Sequence, residues 1–307
     1  MTAAKTVRLF KKSFRKRWQL YLFMIIPLLH ITAFKYVPMF GNVIAFQDYS
    51  FERGLFGSDW IGFKYFKQFF DSPEALNTIR NTILISLFTL ICSFPVPILL
   101  AIMLNEIRSQ GFKKIVQMVT YAPYFISTVV VVSMLMFLLS PHTGFVNPLL
   151  VKLGMEPINF MGESQFFRPI YILSDIWQTA GYSAIIYIAA LAGVNPESYE
   201  AARMDGATRL QKIRHIDLPW IMPTITILLI LGAGSIMSIG FEKIFLMQNP
   251  MNTSVSEVIP TYVYKVGLLS ANYSYSTAVG LFNSLVNMIL ILSVNYAARK
   301  ISNNSLF

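Results

Sequence analysis

Few side chains in this 307-residue chain have the type and spacing for chemistry, and the densest group sits in one polar stretch. It reads Glu200-Ala201-Ala202-Arg203-Met204-Asp205-Gly206-Ala207, followed by Ile216-Asp217-Leu218-Pro219. Its charges and small residues suit docking to another protein rather than bond making. A second, dispersed group comprises Asp175, Trp177, Gln178 and Tyr182, with Asn283 and Asn287 at i, i+4 on another apolar stretch. Rings beside hydrogen-bonding amides suit a sugar, whose C–H face packs on aromatics while its hydroxyls need partners. The same rings also suit packing or interfacial anchoring, and the two asparagines also suit helix-to-helix hydrogen bonding, so both readings stand. His30, His142 and His215 are scattered and the lone Cys92 lies in an apolar run, so no metal site, intrachain disulfide or redox centre is expected. The chain has no Gly-x-x-x-x-Gly-Lys-Ser/Thr sequence, which excludes ATP binding by that route.

The polar stretch has a local architecture that follows from its residues. Asn195 is a good N-cap and Pro196 suits the first helical position, so a helix is expected from Pro196 to Met204. Gly206 lets the backbone turn, and a second short helix from Thr208 to Ile216 should stop ahead of Pro219. Ala201 and Ala202 leave a face that a partner could approach closely. The product is a helix-turn-helix knob.

What positions the knob is a membrane protein. The chain is 55% hydrophobic and 13% charged, with a mean hydropathy of +0.55, whereas a soluble domain carries about 25% charged residues. The net charge of +10 fits basic residues bordering membrane spans better than nucleic-acid binding. Six spans are expected, over Leu20 to Phe34, Ile79 to Leu104, Met118 to Leu139, Pro169 to Leu191, Trp220 to Ile239 and Tyr275 to Ala298. Residues 1–19 form a basic N-terminus, residues 20–298 the transmembrane domain with a loop over 192–219, and residues 299–307 a tail. Pro95 and Pro97 should kink or break the second span, either lining a pathway or only shaping the bundle. Gly232-Ala233-Gly234-Ser235 permits close helix approach, for packing, a subunit contact or sliding. Outer loops are expected over Lys35 to Ala75, where Trp60 to Phe66 reads as an interfacial element, over Pro141 to Phe167 and over Gly240 to Ser274.

Charge orients the chain. Lys5, Arg8, Lys11, Lys12, Arg15, Lys16 and Arg17 precede the first span, and Arg108, Lys113, Lys114, Arg203, Arg209, Lys212, Arg214, Arg299 and Lys300 fall in the other segments on that side. The opposite side holds fewer basic residues, including Lys35, Arg53, Lys64, Lys67 and Arg80. The positive-inside rule therefore puts both termini and the knob in the cytoplasm.

Glu200-Ala201-Ala202, Asp205-Gly206-Ala207 and Ile216-x-Leu218-Pro219 resemble the "EAA" loop of binding-protein-dependent ABC import permeases of the maltose-permease kind. Trp177, Gln178, Gly181 and Tyr182 resemble the Trp-x-x-x-Gly-aromatic stretch of its sugar permeases, and Phe241-Glu242-Lys243 resembles its outer-gate position. The resemblance implies an all-helical, six-span, type I importer subunit in a bacterial cytoplasmic membrane. It implies a second, similar permease, two cytoplasmic ATPases that bind ATP and Mg, and an extracytoplasmic solute-binding protein. Glu200, Ala201, Ala202, Asp205, Gly206, Ala207, Ile216, Leu218 and Pro219 would then couple ATPase closure to alternating access, and the solute would be a sugar, above all an oligosaccharide. An amino-acid or phosphonate permease is the rival inside that family. An ion-coupled secondary transporter is the rival outside it, although acids are nearly absent from the spans.

Overall fold

The computed structural model describes residues 3–234, 236–237 and 239–302, with side chains described over 17–300 within that set. The described residues form a helical bundle with one small ribbon, β1 (Gln47–Asp48) pairing antiparallel with β2 (Asp59–Trp60). This ribbon adds strand to a chain read as purely helical. It sits in the expected first outer loop, where Phe46 stacks on Trp60 at 5.6 Å. Helix α2 (Lys64–Asp71) follows it.

The first span is longer than its apolar core suggests. Helix α1 runs from Ala3 to Ile31 with non-helical φ/ψ at Arg17. It continues through a π turn at Thr32–Tyr36 and a 3-10 stretch at Phe40–Phe46, so Lys35 lies in a helix and not in a loop. The basic side chains from Lys5 to Lys16 lie outside the described side chains, as does the tail over 303–307. Phe23, Ile26 and Phe34 are each more than two-thirds exposed, the arrangement that lipid rewards and water penalises.

The second span is α3 (Pro73–Ser93) and α4 (Pro95–Glu106), joined through a helical Phe94 whose N–H still bonds the Leu90 carbonyl, so the paired prolines mark a junction inside one continuous 34-residue helix and do not break it. The third span departs further from a single helix. Helix α5 (Gln110–Tyr121) and α6 (Thr128–Leu138) meet at 98°, with a 3-10 turn at Ala122–Phe125 between them. Pro123 removes a backbone donor, and Ser127 caps α6 afresh by accepting from Val130 N. The expected loop over Pro141 to Phe167 contains a short helix at Val146–Lys152, and α7 begins early, at Ser164, and runs to Leu191 with Pro169 inside it.

Among the described residues, four helices are long and apolar enough to cross a membrane, or five if the bent pair is one span. They are Arg17–Phe46, Pro73–Glu106, Arg209–Gly234 and Tyr273–Lys300. Helix α7 is not among them. It has the length, 28 residues, or about 42 Å of rise, but it carries the polar residues of the cavity described below.

Helix α8 (Pro196–Met204) and α9 (Arg209–Lys212) form the knob. The second knob helix does not stop ahead of Pro219. It passes through a π turn at Ile213–Asp217 into α10 (Leu218–Gly234), so the second knob helix and the fifth span form one rod. The wide turn bonds Leu218 N–H to the Ile213 carbonyl and lets the chain reach Pro219 without a helix break. The segment after α10 holds α11 (Phe241–Met247), a turn of helix at Thr253–Ser256, α12 (Ile259–Tyr264) and a π turn at Lys265–Leu269 before α13 (Tyr273–Ser302). Ala184, Tyr187 and Leu191 of α7 pack with Ala101, Ile102 and Ile221 into a core next to the knob.

Candidate functional site

The knob is built as its residues require. The Asn195 side chain accepts from Glu197 N, Pro196 takes the first position, and Thr208 and Gln211 form a reciprocal capping box on α9. Gly206, with φ of +73°, makes the turn. Glu200, Ala201, Asp205, Gly206 and Pro219 are exposed, and Ala202, Ala207, Ile216 and Leu218 are half-buried. Met204 and Leu210 are 88% and 73% exposed. These two apolar tips were not singled out from sequence. Their position at a knob, away from any apolar run, is the signal that marks them.

Tyr199 ties the knob down. Its hydroxyl donates to Asp217, the fully buried acid of the π turn, and accepts from Asn105 Nδ2 at 3.5 Å. Burial first, then the Asp217 hydrogen bond, push the Tyr199 hydroxyl up to about 12, so it remains a proton donor. Trp220 Nε1 donates to the Ala190 carbonyl at 3.0 Å and joins the ends of α7 and α10.

Between α7, the second-span helices and the chain beyond α10 lies a cavity of about 650 Å³. Its wall takes Asp175, Thr179, Tyr182, Ser183 and Tyr187 from α7, with Tyr171 one turn away. Phe94 and Pro97 come from the proline junction of the second span, Tyr124 from the bend in the third, and Ile236, Ile239 and Gly240 from the chain beyond α10. The proline junction of the second span, the bend of the third and the end of α10 thus border one cavity, the place where a membrane protein tolerates irregular backbone. Tyr124 and Tyr182 stack at 3.8 Å and 4°. Asp175 accepts from Ser93 Oγ at 3.1 Å.

Of the six expected pathway residues, Asp175 and Tyr182 line this cavity. Trp177 is half exposed and outside the lining. Gln178 donates to the Ile126 carbonyl at 3.1 Å, and Asn287 Oδ1 accepts from Met237 N at 2.9 Å. Both therefore satisfy backbone groups freed at interruptions. Asn283 Oδ1 is buried with no hydrogen-bond partner among the described residues. Tyr124 and Tyr171 were not expected at the site, because tyrosines in apolar runs look alike until the fold sorts them. Lys243, from the expected outer-gate stretch, is buried with its ammonium 5.3 Å from the Tyr171 ring.

Residues 93–303 match the family described as the binding-protein-dependent transport system inner membrane component, and that stretch is more than half of the chain. The chain belongs to that family. This permease is 44% identical over 307 residues to Protein LplB of Bacillus subtilis, covering all of this chain and 96% of the relative. It is 46% identical to the polygalacturonan/rhamnogalacturonan transport system permease protein YteP of the same organism, with 97% and 96% covered. Its fold matches the crystal structure of a bacterial ABC transporter involved in the import of the acidic polysaccharide alginate, with a TM-score of 0.89 and 41% identity over 96% of this chain and 99% of that one. The cavity and knob thus belong to a membrane permease subunit of an ABC-type transport system that works with a binding protein, and not to an ATPase.

Proposed function

We propose that this chain is the permease subunit of an ATP-driven importer of oligosaccharides, spanning the bacterial cytoplasmic membrane. One observation carries the reading: a large cavity walled by tyrosines and hydroxyls, with one carboxylate, lies in the same bundle as an exposed knob built into a span. Rings and hydroxyls at that density suit a sugar. The polygalacturonan/rhamnogalacturonan and alginate systems named above support a polysaccharide fragment over an amino acid or phosphonate.

In this reading six spans cross the membrane, with α7 as the polar fourth and the bent α5–α6 pair as the third. Both termini face the cytoplasm. A second, similar permease completes the pathway and an extracytoplasmic binding protein delivers the solute. Two ATPases, holding ATP and Mg, grip the two knobs through Glu200, Ala201, Ala202, Asp205, Gly206, Ala207, Ile216, Leu218 and Pro219. Because α9 and α10 are one rod and α10 brings Leu228 and Gly232 to the cavity, a shift of α9 on ATPase closure moves the cavity wall directly. Asp175 and Tyr182 contact the solute. Gln178 and Asn287 satisfy the Ile126 and Met237 backbone groups, Asn283 lies on the sixth span, which adds no residue to the cavity lining, and Trp177 acts where the second permease joins.

The test is co-purification followed by transport. The complex should bring down an ATPase and a sugar-binding protein, and oligosaccharide-loaded binding protein should stimulate ATP hydrolysis in proteoliposomes. Tyr182→Ala should lower uptake several-fold with assembly intact, since a stacking contact contributes about 1 kcal/mol. Stimulation by amino acids alone would overturn the sugar assignment.

A further inference from the structure

Beneath the knob lies a second pocket, of about 280 Å³. Glu106 at the end of α4, Arg108 from the connection to α5, Tyr199 and Arg203 of α8, and Arg209 and Lys212 of α9 wall it. Three separate parts of the chain therefore bring four cations to one concavity. Their neutralisation is incomplete. Arg209 Nε approaches Glu106 only to 4.0 Å, and no carboxylate lies within that distance of Arg108, Arg203 or Lys212 among the described residues. Asp217 lies behind Tyr199, fully buried and engaged by its hydroxyl. With both acids counted, two positive charges are left over.

We propose that this pocket binds a phosphate group. Guanidinium forks match phosphate oxygens with paired hydrogen bonds, and three arginines from three segments offer them from different sides. Clustered like charges repel one another, and an anion seated among them converts that repulsion into attraction. The occupant would bridge the end of α4 to both knob helices, bracing the knob against the second span. The phosphate could come from an anionic phospholipid headgroup, since the pocket opens at the end of a membrane span, or from a free phosphate in solution.

The experiment uses the purified full-length chain in neutral detergent, wild type beside the Arg203→Gln/Lys212→Gln double variant and the single variant Arg108→Gln. Native mass spectrometry counts retained phosphatidylglycerol against phosphatidylcholine, and titration calorimetry follows inorganic pyrophosphate. The wild type should show one saturable site, weakened at least ten-fold in the double variant and several-fold in Arg108→Gln, with helical content unchanged in both. Saturation by phosphatidylglycerol alone identifies a headgroup site, and saturation by pyrophosphate identifies a soluble phosphate. Equal binding by wild type and both variants overturns the proposal, and so does no saturable binding in either arm. If phosphate does not bind and the variants lose the ATPase on co-purification, the basic wall belongs to the ATPase interface and the proposal fails.

Discussion

Gly206 and Tyr199 each give the knob something no neighbour can supply. At Gly206 an added Cβ would meet nothing within 4 Å, so space is not the constraint. The constraint is its φ of +73°, which a β-branched residue adopts only with about 1 to 3 kcal/mol of strain. Gly206→Val should insert in the membrane normally yet weaken ATPase docking or uncouple hydrolysis from uptake, and Gly206→Asn should restore much of the loss, because Asn tolerates that region. Normal coupling in the valine variant would remove the turn from the mechanism. Tyr199→Phe leaves the buried Asp217 without its hydroxyl donor. A hydrogen bond to a charged group contributes about 1.5 to 3 kcal/mol, so the variant should lower the unfolding midpoint of the purified chain in detergent. An unchanged midpoint would mean that solvent replaces the hydroxyl.

At the scale of elements, interruptions matter more than helices. The cavity sits beside the proline junction of the second span, the bend of the third and the point where the chain leaves α10, and side chains from other elements close freed backbone bonds: Gln178 for Ile126, Asn287 for Met237. The bend between α5 and α6 also needs close approach. A Cβ on Gly181 of α7 would lie 1.9 Å from the Thr120 carbonyl oxygen of α5, a clash with backbone that no rotamer relieves. Gly181→Ala should therefore force α5 and α7 apart, at a cost of about 1 to 3 kcal/mol. Its readouts are a lower thermal midpoint and poorer recovery of the assembled complex. A variant with wild-type midpoint and uptake would show that the contact relaxes freely. Gly234 also lies close to α13, where an added Cβ would come within 2.7 Å of the Ile291 side chain, a contact with side chain and not with backbone. That favours helix packing as the use of the small-residue run, whose last member, Ser235, lies outside the described residues.

For the whole molecule, the remaining question is which way the bundle faces. The excess of Lys and Arg on the knob side predicts a cytoplasmic knob. A reporter active only outside the cytoplasm should be silent when fused after Phe307 and active when inserted near Gly154, a left-handed turn with open space around it. Activity at Phe307 would sink the six-span topology and, with it, the proposed cytoplasmic ATPase contact. The exposed apolar surface of α1 fits the same picture, because a helix with that surface needs lipid or a partner subunit around it.

The sequence by itself determined what depends on composition or on neighbours a few residues apart. Membrane character follows from apolar runs, and the knob's first helix begins and ends as expected because Asn195, Pro196 and Gly206 act on backbone within a turn of themselves. The capping box at Thr208 and Gln211 is equally local. The lengths and breaks of the spans were not legible in the same way. Pro123 lies inside the span expected over Met118 to Leu139, where a 98° bend was not foreseen, and Pro219 reads as a stop although a π turn carries the helix past it. Polar residues in apolar runs were equally ambiguous: Asp175 and Tyr182 face the cavity, whereas Gln178 and Asn287 serve backbone elsewhere. The reason is physical. Inside a membrane protein a broken helix is stable only if a distant side chain or a cavity satisfies its freed groups, so tertiary structure decides where breaks occur and which polar residues remain for solute.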